Sequence, residues 1–186
     1  MIGLILGVFF CNSSFALNYS ITEGQINFDA VGNPKKLLIH GKTEQMTGQL
    51  VLEKKIITAQ TAIDLSSFTT GMALRDQHMK NKYLEVEKFK EATLKINPIS
   101  VLSESTPFKL SNVKFDGMLK LHGVEKPISG TASIDSTNGM MAVDASFSVN
   151  TEDYKISTPS FAGLTVANNV DIKVKFVAKP DANAKQ

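Results

Sequence analysis

The chain of 186 residues holds one cysteine, one arginine and no tryptophan. The cysteine, Cys11, sits in the opening stretch MIGLILGVFFCNSSFA, which is apolar from Ile2 to Phe10. Ser14 and Ala16 supply small residues around a cut, the pattern of a secretory signal. No Lys or Arg precedes the apolar run, a departure from that pattern, and the competing reading is a buried N-terminal strand or helix. If cleavage follows Ala16, Cys11 leaves with the segment, which excludes disulfides, a thiolate nucleophile and a Cys-ligated zinc together. Lipid modification of Cys11 would meet the bulky Phe9 and Phe10 where processing wants small residues. The run is too short to span a bilayer, so stable membrane insertion is not expected.

Charge of one sign is also lacking. Twenty basic residues face 18 acidic ones, and the basic runs stop at the pairs beginning at Lys35 and Lys54. Phosphate binding normally concentrates Lys and Arg on one face, so a nucleic-acid partner is not expected. There is no H-E-x-x-H, G-x-S-x-G, P-loop or G-x-G-x-x-G. His40, His78 and His122 lie far apart. A zinc site joining them across strands has no motif behind it, and neither has a Ser66, Asp76, His78 triad. No catalytic residue, metal site or cofactor is therefore assigned, and the chain is read as a non-enzyme.

What is present is alternation with period two. Met141, Val143, Ala145, Phe147 and Val149 alternate with polar or small residues, as do Val170, Ile172, Val174 and Phe176. So do Ile57 to Leu65, Phe115 to Leu121 and Ile128 to Ile134, each the signature of a strand with one wet face. Asn138-Gly139 predicts a two-residue type I′ hairpin, and HGVEKP from His122 and LEKKI from Leu52 predict two more. With weaker segments the count reaches eight or nine antiparallel strands. Between Gly71 and Phe89 the alternation lapses and ALRDQHMKN favours helix, so one or two short helices interrupt the sheet. Such a sheet closes as a barrel or packs as a sandwich. Small residues at inward positions, Ala59, Gly117, Gly130, Ala132 and Ala145, fit a barrel tunnel, or a sandwich core that receives larger side chains. The lone Arg75 suits a planar tie from the helix to carbonyls or a carboxylate, with contact to a ligand head group as the alternative.

Three stretches carry a family resemblance. SSFTTGMALRDQHMKNKYLEVEKFKEATLKI resembles the R-D-x-H segment of the YceI-like domain. GMLKLHGVEKPISGTASI resembles its G-x-x-K-P hairpin, and VNTEDYKISTPSFAGLTVANNVDIKVKF its closing strands. Together they run from about Asp64 to Phe176. Lys90 stands where the family commonly has Pro, and the first hairpin matches loosely.

The resemblance implies an all-β, lipocalin-like antiparallel barrel of about eight strands with one or two short inserted helices. The lipid-binding barrel it implies spans 17–178, between the signal peptide read over residues 1–16 and the polar tail KPDANAKQ, 179–186, which lacks apolar residues to bury and is expected to be disordered. The expected function is periplasmic or secreted binding of a long apolar molecule, polyisoprenoid or fatty-acid-like, for storage or transport. The alternatives are an enzyme acting on a lipid head group through His78 or His122, and a stress-related interaction module with a vestigial pocket. Candidate ligand-binding residues are Phe28, Phe68, Met72, Leu74, Met79, Leu119, Ala132, Phe147 and Phe161. Arg75, Asp76 and His78 map onto the shared R-D-x-H element as anchors of the inserted helix. The partner is the lipid, and the chain is open to being a homodimer.

Overall fold

The computed structural model describes residues 16–33, 37–101, 107–161 and 164–182. The expected signal segment, apart from Ala16, and the last four residues of the expected tail lie outside the described residues. The strands are β1 (Leu17–Asn33), β2 (Leu37–Thr43), β3 (Met46–Glu53), β4 (Ile56–Asp64), β5 (Glu91–Ser100), β6 (Lys109–Leu121), β7 (Val124–Asp135), β8 (Met141–Asn150), β9 (Ser160–Phe161) and β10 (Leu164–Pro180). Neighbours in sequence pair in antiparallel fashion from β3 to β8, β8 pairs with β10, and β10 closes the ring against β1.

β2 and β3 form one stave. Ile26 of β1 faces Thr43 of β2, and six residues on Ser20 faces Gln49 of β3, so one register runs through the break at Glu44 and Gln45. Counting that stave once, and setting aside the two-residue β9, the barrel has eight staves. This is the size at which side chains can just fill the interior or leave room for one small ligand.

Residues directly opposite each other in an antiparallel ladder share a face. The apolar series of the sequence therefore join into belts inside the barrel. One runs Gly24, Phe176, Val143, Ile134, Leu110 and the next Ile26, Val174, Ala145, Ala132, Val113. A third runs Phe28, Ile172, Phe147, Gly130, Phe115.

Two hairpin turns have positive φ at both central residues, Lys54 (50°) with Lys55 (62°) and His122 (49°) with Gly123 (75°). That is type I′ geometry, whose twist matches the flanking strands. The type I′ hairpin expected at Asn138-Gly139 is not formed. β7 and β8 are joined through Ser136 and a 3₁₀ turn at Thr137–Gly139, and only Gly139 (φ 73°) has positive φ there. Asp135 displaces the simple turn: its carboxylate accepts from the Thr137 hydroxyl and from the Thr137 N–H at 3.0 Å. The expected loose tail from Lys179 also differs. β10 runs to Pro180, Asp181 N–H donates to Asn18 O (2.9 Å), and Ser20 Oγ donates to the Asp181 carboxylate (2.7 Å). The start of β1 offers an open ladder edge, and the chain uses it.

Burial is uneven along the barrel axis. The end that holds the Lys54-Lys55 turn is closed: Tyr19, Leu52, Ile57, Met141 and Ala178 are all at most 2 % exposed. Ser136, fully buried there, accepts from Phe108 N–H (2.8 Å) and donates to Phe108 O, satisfying its hydroxyl. At mid-barrel, Phe28, Ile63, Ala145, Phe147, Ile172 and Val174 are only half-buried although they pack against the core. In a chemical denaturation series, Leu52→Ala should lose roughly 2–5 kcal/mol, the cost of a cavity in a packed site. Ile172→Ala should lose roughly half of that or less, because part of its surface is already open. Equal losses would contradict the uneven packing.

Candidate functional site

The 26-residue excursion between β4 and β5, Leu65 to Lys90, lies over the opposite end of the barrel. Its lead-in, a 3₁₀ turn at Leu65–Ser67 followed by Phe68 and Thr69, runs along the free edge of β2. Thr69 and Lys42 exchange backbone bonds (2.9 and 3.0 Å), and Thr43 Oγ1 lies 2.6 Å from Ser67 Oγ. Helix α1 (Ala73–His78) follows and continues as a π-helical turn, Met79–Tyr83.

The lone arginine and its neighbour stabilise this entry. Arg75 donates through Nε to Thr70 Oγ1 (2.7 Å) and through Nη2 to Thr70 O (2.8 Å). The Asp76 carboxylate accepts from Thr70 N–H (2.7 Å), Thr70 Oγ1 and Thr69 Oγ1 (2.6 Å). Burial works against the charge of Asp76, but the Thr69 and Thr70 donors together outweigh it and hold the carboxyl below its ordinary range. Both side chains thus fold α1 back on its own lead-in, which is itself pinned to β2. His78 is exposed on α1.

The cap returns to the barrel through a second tie. His122, buried in the β6–β7 turn, has Nδ1 3.0 Å from Tyr154 O and Nε2 3.0 Å from the Glu85 carboxylate. The Phe89 ring packs on the imidazole at 4.3 Å between centroids. A Cβ at residue 123 would lie 2.7 Å from that ring, so Gly123 is required by the contact as well as by its φ. Both ring nitrogens of His122 face protein oxygens at hydrogen-bond distance, which leaves neither turned toward a substrate. Lys88 first, and His122 after it, hold the Glu85 carboxyl below its ordinary range.

Beneath the cap, Phe28 and Phe68 meet at 5.6 Å between ring centroids, and Met79 and Leu84 pack against the same core. Of the residues singled out in the sequence, the structure brings Phe28, Phe68, Met79 and Phe147 into this upper interior. Leu119 and Ala132 are buried in the second core cluster beside Phe115, Val149 and Tyr154. Met72 and Leu74 are 57 % and 60 % exposed and point away from the interior. Phe161 ends β9, and its side chain lies outside the described residues.

Ile63, Leu84, Ala145, Ile172 and Val174 also belong to the inner wall. Their place in the alternating series, or in the apolar face of the cap for Leu84, was the signal for them. Two small inward residues do not open space. A Cβ at Gly130 would meet the Phe115 ring at 2.7 Å and Ser146 O at 2.4 Å, and one at Gly117 would meet Lys95 O at 2.6 Å.

Two open grooves lie on the outer wall. One of about 760 Å³ crosses β1, β10, β8, β7 and β6, where Lys109 pairs with Asp135 (3.2 Å) and Lys175 with Asp144 (2.9 Å). The other, about 540 Å³, holds Asp29 between His40 (2.5 Å) and Lys173 (3.4 Å). Both carry ion pairs, and the first also touches Gly24, Leu110, Ile134, Val143 and Phe176 of the first inner belt. Among the described residues no three His, Cys, Asp or Glu side chains come together as a metal site, and no helix is long and apolar enough to cross a membrane.

This architecture is a capped, closed, lipocalin-like antiparallel barrel. The chain belongs to the YceI-like domain family, whose model matches residues 19–178. Its fold is similar to that of a polyisoprenoid binding domain from Saccharophagus degradans implicated in plant cell wall breakdown. That match has a TM-score of 0.72 and 19 % identity, covering 89 % of this chain and 99 % of that one. BcnA of Burkholderia cenocepacia is similar at TM-score 0.68 and 16 % identity, over 84 % of this chain and 96 % of that one. A YceI protein of Campylobacter jejuni follows at 0.53 and 17 %, over 77 % and 85 %. No curated protein matches the sequence.

Removing the His122 tie should loosen the cap alone. His122→Ala should speed hydrogen exchange of the Val86 and Phe89 amides by roughly 10- to 100-fold, the loss of a hydrogen bond to a charged group. Amides beside Leu52 and Met141 should be unchanged. Because the Glu85 pKa is depressed, its contribution is complete above the ordinary value of 4.5 and is lost as pH falls through the lowered one. Cap protection in the parent should therefore fall in that acid range, and less so in Glu85→Gln. Uniform acceleration across the barrel would contradict the assignment.

Proposed function

We propose that the protein holds a long apolar molecule, of polyisoprenoid or fatty-acid type, inside the barrel beneath the cap. The observation that carries this reading is the half-buried apolar belt around Phe28, Ala145, Phe147, Ile172 and Val174, set between a packed end and a capped end. An inward side chain keeps accessible surface only where space of at least water size adjoins it. Covering such surface with a hydrocarbon chain stabilises the complex by roughly 25 cal/mol per Å². The polyisoprenoid binding of the Saccharophagus degradans domain supports the chemical class. The role is storage or transport, without turnover. The protein works in the periplasm or outside the cell, after removal of residues 1–16. The apolar opening run supports this, and so does the start of β1 at Leu17, immediately after the expected cut.

Ala145→Phe tests the chamber directly. Ala145 is a small residue at the middle of the belt, so the added ring should enter free space and leave the melting temperature near that of the parent. Uptake of a polyprenol or long-chain fatty acid should fall at least tenfold. If the interior is instead filled by protein, the same change overpacks it and costs about 1–3 kcal/mol of stability.

A further inference from the structure

The rim of the cap end carries apolar side chains that stand exposed among the described residues. Of the six large apolar side chains exposed among the described residues, five lie at this end: Val31, Leu37 and Leu38 at the β1–β2 hairpin, and Met72 and Leu74 on the cap. The sixth, Ile56, is at the closed end. Single exposed apolar residues are ordinary on a protein surface, but a cluster drawn from separate segments around one opening is not.

The geometry brings the two segments together. Val31 and Leu38 are ladder partners on the outer wall, and β1, β2 and β10 stand beyond the rim as a flap. β8 ends at Asn150, opposite Asn169, so residues 164–168 of β10 extend roughly 16 Å past it at strand spacing. The smaller outer groove has His40, Gly41 and Lys42 on one side and Thr69, Thr70 and Gly71 on the other. The chain leading into Met72 therefore lies beside the strand that begins with Leu37 and Leu38.

Charge selects the occupant. The cap from Leu65 to Lys90 has five bases against three acids, which accounts for the whole excess of +2 in the chain. Glu85 is paired with Lys88, and Asp76 adjoins Arg75, so the excess rests on Lys80, Lys82 and Lys90 against Glu87. Arg75 follows Leu74 directly, and Lys80 and Lys82 lie six and eight positions beyond it. Aliphatic side chains projecting beside a basic segment are the composition of a surface that rests at the headgroup boundary of an anionic bilayer.

We propose that the cap end docks on a phospholipid surface, with the flap and the start of α1 entering the headgroup layer and the barrel mouth facing the membrane. The inference rests on the carrier reading above, and it specifies where the apolar cargo is exchanged.

Because the chain has no tryptophan, a single introduced one is an unambiguous reporter. Leu38→Trp and Met72→Trp in the full chain, with Ile56→Trp as the closed-end control, are mixed with vesicles of phosphatidylglycerol and phosphatidylethanolamine, or of phosphatidylcholine alone. Emission of both cap-end reporters should move to the blue on the anionic vesicles, less on the neutral ones and less at high salt, while Ile56→Trp stays unchanged. No shift at the cap end, or an equal shift at all three positions, overturns the proposal. A shift that grows with protein concentration without vesicles would mean that a second copy covers this face, and overturns it too. Solvent extraction of the same preparations separates the two readings. A loaded barrel without a vesicle response defeats docking alone, and a vesicle response with an empty barrel defeats the carrier reading alone.

Discussion

Everything in this molecule follows from the pairing of its first strand with its last. β1 and β10 run side by side from Tyr19–Pro180 to Asn33–Thr165, and that ladder turns a strip of antiparallel hairpins into a ring. Once the ring is closed, alternation acquires a direction: one face of every strand must look inward, and apolar residues occupy it. The polar outer wall follows from the same periodicity, including Lys109–Asp135 and Lys175–Asp144. The closure also explains why β10 continues past residue 178 into the expected tail, since Pro180 and Asp181 complete the first residues of β1.

Among the described residues, the β2 half of its stave has no strand on its outer edge, because of the two halves only β3 pairs with β4. The cap begins there. Thr69 pairs with Lys42, Thr70 binds Arg75 and Asp76, and the segment returns across the barrel end to meet His122 through Glu85 and Phe89. The cap is thus held at two points, with a six-residue helix between them that contributes no buried side chain of its own. An element stabilised mainly at its ends can open without unfolding the strands beneath it.

Much of the fold was legible because a half-buried strand writes its own pattern. β4, β6, β7, β8 and β10 are visible as alternating runs, and the lapse from Gly71 to Phe89 marks the cap. Turn chemistry was less reliable: Asn138-Gly139 has favourable residues but yields a 3₁₀ connection, while Lys54-Lys55 adopts positive φ because the register of β3 and β4 demands it. The site was legible in part. Phe28, Phe68, Met79 and Phe147 reach the interior, but helical spacing could not show that Met72 and Leu74 stand at the start of a short helix facing outward. The small residues pointed two ways, since Gly130 makes room for Phe115 while Ala145 is only half-buried. The role of His122 depends on Tyr154 and Glu85, 32 and 37 positions away, a separation that no local motif spans.

The proposed apolar chamber lies under the tied cap and takes one long hydrocarbon chain. Native mass spectrometry of the protein expressed from its full sequence and purified without detergent tests this most directly. The account predicts a stoichiometric mass excess, released by organic solvent as a long-chain lipid. A bare polypeptide mass that persists after incubation with polyprenols and fatty acids would contradict it.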